Sequence, residues 1–246
     1  MKNILLLLLT CSLVASQGNP EKLRKANDYY SVEDYSVAIE IYEDILKSAE
    51  HENIYYNLGN SYFRIGEIGN SIWAYEKALK LSPRDSDINF NLKYVRSMVR
   101  DRILPPDEIY LIALYNSLIL KFNFSDLFLL IGFIILFLSI KYVINNFSLL
   151  LKPINGFINY LTAALLLSFC WMALDKYWDI SDKSHGVVTE SAVDVRSSPL
   201  DRGENVLFRI HEGAKVEIYN TQSGWSEIML VDGKKGWIFS KDVRVI

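Results

Sequence analysis

The side chains in this 246-residue chain that could move protons, hold a metal or attack a substrate are few and far apart. His51, His185 and His211 each lack a Cys, Asp or Glu at metal-ligand spacing. His51 sits between Glu50 and Glu52 in what reads as a turn, so solvent exposure is its expected state. Cys11 and Cys170 lie inside apolar runs, which favours inert thiols over reactive ones and excludes a disulfide framework. No phosphate-cradling glycine loop and no nucleophile elbow occurs. Asp126 and Asp175 stand at the edges of apolar stretches, where a proton relay through a membrane would need a carboxylate deeper in. The expected chemistry is therefore recognition rather than catalysis, with no cofactor and no metal. In the tail, Trp225 and Trp237 are the large side chains suited to ligand contact, and Arg196 and Arg209 could meet an anion. Nearby acids (Asp194, Glu204, Glu212) nearly balance those bases, so no anion patch stands out.

The tail that positions them has a regular rhythm. Val193-Asp194-Val195-Arg196-Ser197-Ser198-Pro199 alternates and ends on proline, and Lys215-Val216-Glu217-Ile218 follows Glu212-Gly213. Gly224-Trp225 precedes Ser226-Glu227-Ile228, and Asp232-Gly233-Lys234-Lys235-Gly236-Trp237-Ile238 closes the series. Alternation broken by glycine turns predicts a small antiparallel barrel over residues 185–246. The order VxVRSSP, GxKVEI, GW, DGKKGWI resembles the bacterial SH3-like (SH3b) domain. That resemblance implies a binding module, in which the tryptophans commonly brace the core.

Residues 19–100 carry an internal repeat. Tyr55, Leu58, Gly59, Tyr62, Ser71, Tyr75, Ala78 and Pro83 fall on one template, and Ala26, Tyr29, Ala38, Tyr42 and Ile45 occupy the same places one period earlier. The pattern resembles the tetratricopeptide repeat, a helix-turn-helix unit that stacks on its neighbours. A further helix over about 86–99 is expected to cap the stack. The resemblance puts Asn27, Tyr30 and Ser31 of the first unit on the concave surface, with Tyr56, Asn60, Phe63 and Arg64 of the second. There, asparagine can hydrogen-bond a peptide backbone and arginine can pair a carboxylate. Some members clamp a C-terminal carboxylate with a lysine four residues before the asparagine. Leu23 and Tyr56 hold those places here, which argues against that clamp.

Between these regions the chain turns strongly apolar. Leu127–Ile144 contains one charge, Lys141, and Ile154–Leu174 contains none, so 125–144 and 154–174 are predicted membrane spans. The link between them carries Lys141 and Lys152 and no acid, which places it inside the cell and both flanking domains outside. Residues 1–16 combine Lys2, an apolar run and small residues before Gln17, the pattern of an export signal. Lipidation at Cys11, after Leu8-Leu9-Thr10, is the competing reading, as is an uncleaved anchor. Residues 101–124 are expected to form a Pro105-Pro106 joint followed by a short helix, 109–120, lying at the membrane surface. A formal charge of −3 with no basic stretch gives no footprint for nucleic acid.

The predicted fold class is multi-domain α and β: an all-α repeat stack, two transmembrane helices and a small SH3-like barrel. The module order resembles the BatE proteins of the Bacteroides aerotolerance operons. That resemblance implies a non-enzymatic envelope scaffold at the bacterial cell membrane. Its implied partners are envelope proteins: membrane proteins with von Willebrand factor A domains and a MoxR-type ATPase system. The alternative is a peptidoglycan-binding anchor or sensor that works through the SH3b domain.

Overall fold

The helical region follows from small and aromatic residues recurring every 33 positions. The computed structural model describes residues 20–103, 109–147, 152–182, 184–201 and 205–246. The expected export signal, Cys11 and Pro105-Pro106 lie outside them. Helices α1 (Pro20–Ser31) and α2 (Tyr35–Leu46) form the first unit, and α3 (Glu52–Arg64) and α4 (Ile68–Leu81) the second; α5 is Ser86–Arg96. Ala26, Ala38, Gly59 and Ser71 are all buried where paired helices meet. A Cβ on Gly59 would stand 2.8 Å from the Tyr75 ring, so only glycine permits that approach. The turn inside each unit uses a left-handed residue at the same repeat position, Glu33 (φ 64°) and then Gly66 (φ 83°). Local caps start three helices. Asp34 accepts from the Val37 amide, His51 from Asn53, and Asp85 from Asp87 and Ile88. His51 is thus a half-buried helix cap rather than the fully exposed residue expected.

α5 keeps the same period. Its buried Ile88, Leu92 and Val95 lie one repeat after Tyr55, Gly59 and Tyr62, so it is the first helix of a third, incomplete unit.

The tail forms one antiparallel sheet of seven strands: β1 (Ser184–Val188), β2 (Ala192–Arg196), β3 (Val206–His211), β4 (Lys215–Gln222), β5 (Trp225–Leu230), β6 (Lys235–Phe239) and β7 (Val243–Val245). Their order is β3-β2-β6-β5-β4-β1-β7. Val188, Val193, Val195, Ile210, Val216, Ile228, Ile238 and Val243 share one apolar cluster. Both edge strands therefore face a common interior, and the sheet is curled rather than flat. Gln222 pairs with Trp225 across Ser223 and Gly224, both at positive φ, the two-residue turn that matches strand twist.

The described residues of Met1–Pro106 and Ser184–Ile246 form one unit, and Asp107–Lys183 a second. The repeats and the sheet are thus not separate bodies. Val187 belongs to the buried core of the repeats, and Ile246 packs against it.

The second unit contains α6 (Tyr110–Ile119), α7 (Phe124–Phe147) and α8 (Lys152–Asp182). Phe124–Ile144 and Gly156–Trp178 are long and apolar enough to cross a membrane, and almost nothing in the protein covers them. Packed core helices of a soluble domain would be covered. α8 runs past the predicted end at Leu174, because Asp175 and Lys176 continue a helix as readily as apolar residues do. Tyr115 donates to Asp175 at 2.9 Å, joining α6 to the C-terminal part of α8.

Candidate functional site

The first helices of the units, α1, α3 and α5, carry the residues expected to meet a ligand. Their polar groups repeat with the fold. Tyr42 donates to Asn27 Oδ1 at 2.6 Å, and one period later Tyr75 donates to Asn60 Oδ1 at 2.5 Å. Each asparagine thus spends its carbonyl on a tyrosine of the unit's second helix. What it can offer a ligand is its amide N–H pair, which suits the carbonyls of a peptide backbone. Burial, with Tyr30 nearby, pushes the Tyr42 phenol up to about 12, so it stays a donor at physiological pH. Asn57 reaches Asn27 Oδ1 at 3.4 Å, while Asn91 donates to Asn60 Oδ1 and to the Tyr56 hydroxyl, both at 3.1 Å.

Aromatic rings complete the surface. Tyr30 meets Tyr35 edge-on at 5.3 Å, Phe63 meets Tyr94 at 5.9 Å, and Tyr56 tilts against Tyr75 at 6.0 Å. Arg64 is exposed, 5.9 Å from the Tyr35 centroid, and a hydrogen bond to Tyr30 raises its already high pKa. These contacts fall into separate groups, Asn27 with Tyr42 and Asn57, Tyr30 and Arg64 about Tyr35, Tyr56 and Asn60 about Tyr75 and Asn91, and Phe63 with Tyr94, whereas Ser31 turns back to the Asp28 carbonyl at 2.7 Å. Tyr35, Asn57, Asn91 and Tyr94 belong to the same surface and were not anticipated. The last two carried a readable signal, since α5 continues the 33-residue period.

In the sheet, Trp225 is buried and stacks on Phe239 at 4.0 Å, a bracing position, while Trp237 is half-buried on β6. Arg196 is held by Asp201 at 2.9 Å and Arg209 by Asp194 at 2.7 Å, and that hydrogen bond lowers the Asp194 carboxyl.

Residues 52–85 match the tetratricopeptide repeat family, which covers the second helical unit. Residues 191–244 match the bacterial SH3 domain family. The tail is a bacterial SH3 domain. Both modules are of kinds that bind proteins or, for the SH3 domain, peptidoglycan, and both are typically non-catalytic. No curated protein matches the chain. Among solved structures, NlpC2 from Trichomonas vaginalis is similar at 12% identity and a TM-score of 0.24, over 26% of this chain and 25% of that one. So slight a likeness carries no argument, and the chain spans about a quarter of that protein's length.

The arrangement that the sequence does not reveal is how the SH3 domain is fixed to the repeats. α4 has no side-chain cap of its own, and instead Glu212 of the SH3 domain accepts from the Gly69 amide at 2.9 Å. The turn before α4 is made by Gly66, at φ 83°, and Gly69 lies inside the helix. A Cβ on Gly69 would meet the Val188 carbonyl oxygen at 2.6 Å, so glycine is needed there for the SH3 domain to dock. Arg244 lies 3.4 Å over the Trp73 ring, pairs with Glu43 at 2.9 Å and donates to Asn70 at 3.0 Å and Tyr62 at 3.1 Å. Trp73 in turn donates to the Val245 carbonyl at 2.8 Å. Buried Glu76 receives Arg96 from α5 and Lys215 from β4. His211, isolated in the sequence, meets Asp101 through its backbone N–H at 2.6 Å and Nδ1 at 2.9 Å. Arg100 Nη1 lies 3.0 Å from Nε2 of the same ring. The SH3 domain thus packs on α4, and Gly213 sits close to Ile72 of that helix and to Val99 beyond α5.

Proposed function

We propose that this chain is a non-enzymatic, membrane-anchored envelope scaffold, acting in the manner of BatE proteins in an aerotolerance or stress setting. The observation that carries the reading is the concave surface itself. It combines repeated amide donors, partly exposed aromatic edges and a solvated arginine, a set suited to an extended peptide segment with an apolar and an acidic side chain. The SH3 domain docks on α4, away from that surface, and so leaves it available. Candidate partners are von Willebrand factor A-domain membrane proteins and a MoxR-type ATPase system.

Two apolar helices lie between modules that pack against each other through Val187 and Ile246. Modules so packed must fold on one side of a bilayer, and two spans return the chain to the side it left. The lysines beside the link and the N-terminal signal pattern favour the periplasmic side for both. The exposed apolar surface of α6 (Tyr110, Leu111, Ile112, Leu114, Leu118) suits an interfacial position. The wall-binding reading rests on the SH3 domain alone, and half-buried Trp237 is the side chain that favours it.

The test is cross-linking of the tagged full-length protein in its own envelope, comparing wild type with Arg64→Glu. Loss of particular co-purifying proteins at unchanged thermal stability supports the groove. Unchanged partner recovery refutes it, and recovery of wall fragments alone would point to the anchor.

A further inference from the structure

We propose that a second site, a cleft between the joint at 100–103 and strands β3 and β5, binds a short acidic peptide segment of a partner protein. The cleft has a volume of about 470 Å³, within the range of small-ligand sites. Four cationic side chains line it, Arg100, Arg102, Arg209 and Lys234, against two carboxylates, Asp101 and Asp232.

The two acids are already engaged. Both oxygens of Asp101 accept from His211, and Asp232 takes the Lys234 ammonium at 2.9 Å and its backbone N–H at 3.2 Å. Arg100 meets the His211 ring, a contact that leaves its guanidinium charge in place. Arg209 is shared with Asp194, and Arg102 is exposed at the rim. The cleft thus keeps a positive excess on a protein whose formal net charge is −3, so the excess is local.

The walls choose between anions. Ile103 and Phe208 are apolar and partly buried against the SH3 core, and Lys234 stands 6.0 Å from the Phe208 ring. A bare phosphate would leave those surfaces wet. A peptide alternating carboxylates with an apolar side chain would cover them while meeting the planar guanidinium forks. The site exists only because the repeats and the SH3 domain are docked, since the joint supplies one wall and the sheet the other.

The probe is an N-acetylated Glu-Leu-Glu-Leu-Glu peptide, with its Gln-Leu-Gln-Leu-Gln amide as the comparison, titrated calorimetrically into full-length protein in detergent micelles. Expected is saturable one-to-one binding of the acidic peptide, weakened at high salt and absent for the amide. Arg102→Glu and, separately, Lys234→Glu should each weaken it roughly tenfold or more, the scale of a charge-assisted hydrogen bond. Arg64→Glu should leave it unchanged, which separates this site from the concave groove. The proposal fails if the acidic peptide does not saturate, if the amide binds equally, or if neither cleft variant weakens binding at unchanged melting temperature. It also fails if inorganic phosphate competes at equal concentration, because a simple anion site would then account for the cleft.

Discussion

Gly69→Ala tests whether the SH3 domain is seated on the repeats, because the two cases differ in sign. Gly69 is helical, and in an exposed helix glycine is worse than alanine by roughly 0.5–1 kcal/mol, so an undocked α4 would gain about that much. In the docked molecule the new methyl meets Val188 O at 2.6 Å, Thr189 Cα at 2.9 Å and Glu212 Cβ at 3.1 Å. Two of those atoms are backbone and cannot swing away. Reaching ordinary contact near 3.4 Å means moving β1 from α4 by about 0.8 Å, which stretches the Gly69–Glu212 hydrogen bond and loosens Arg244 on Trp73. Two backbone contacts under 3.0 Å put the cost in the upper half of the usual overpacking range, about 2–2.5 kcal/mol, leaving a net loss of about 1–2 kcal/mol after the helix gain. Hydrogen exchange by mass spectrometry on the full chain in micelles reads it locally, over peptides spanning 68–81 and 184–189. Exchange should quicken roughly 5- to 30-fold in both. Slower exchange in 68–81, with no change in the β1 peptide, would falsify the docked arrangement. Gly66→Ala is the control: it has open space but a φ of 83°, so it should loosen the turn without touching β1.

Arg244→Ala should cost about 2–3 kcal/mol, less than the sum of its contacts because the pair with Glu43 is about a third exposed, and a cycle with Glu43→Ala should show coupling of about 1 kcal/mol in thermal unfolding. Glu212→Ala removes the only side-chain cap seen on α4 and should destabilise by about 1–2 kcal/mol, with the exchange change starting at the α4 N-terminus. Burial pushes the Asp242 carboxyl above its ordinary value, an effect that nearby Lys241 opposes. A raised folded-state pKa gives stability that is full below the unfolded value and lost as pH rises through the folded one. Asp242→Asn should therefore flatten the fall in stability between acid and neutral pH, measured as melting temperature against pH; an unchanged slope would remove Asp242 as its source.

Much of this architecture is local information. The 33-residue period is set by residues that meet within one unit or the next, such as Gly59 under Tyr75, so spacing along the chain already encodes it. The apolar spans and the Ser223-Gly224 hairpin are equally self-contained, since each depends on a window shorter than itself. The tyrosine-to-asparagine hydrogen bonds at Asn27 and Asn60 recur with that period, and Asn91 and Tyr94 lie on α5, which continues it. The union of the two modules was not readable. Gly69 and Glu212 are 143 positions apart, and His211 and Asp101 are 110 apart. Each has an adequate local role, a turn glycine, a surface acid, an isolated histidine, so nothing in its neighbourhood signals a distant partner. The sequence determined the units, because helix and hairpin patterns are short-range. Only the tertiary structure decided that the SH3 domain docks on α4 of the repeats, because shape complementarity across an interface leaves no periodic trace in either partner.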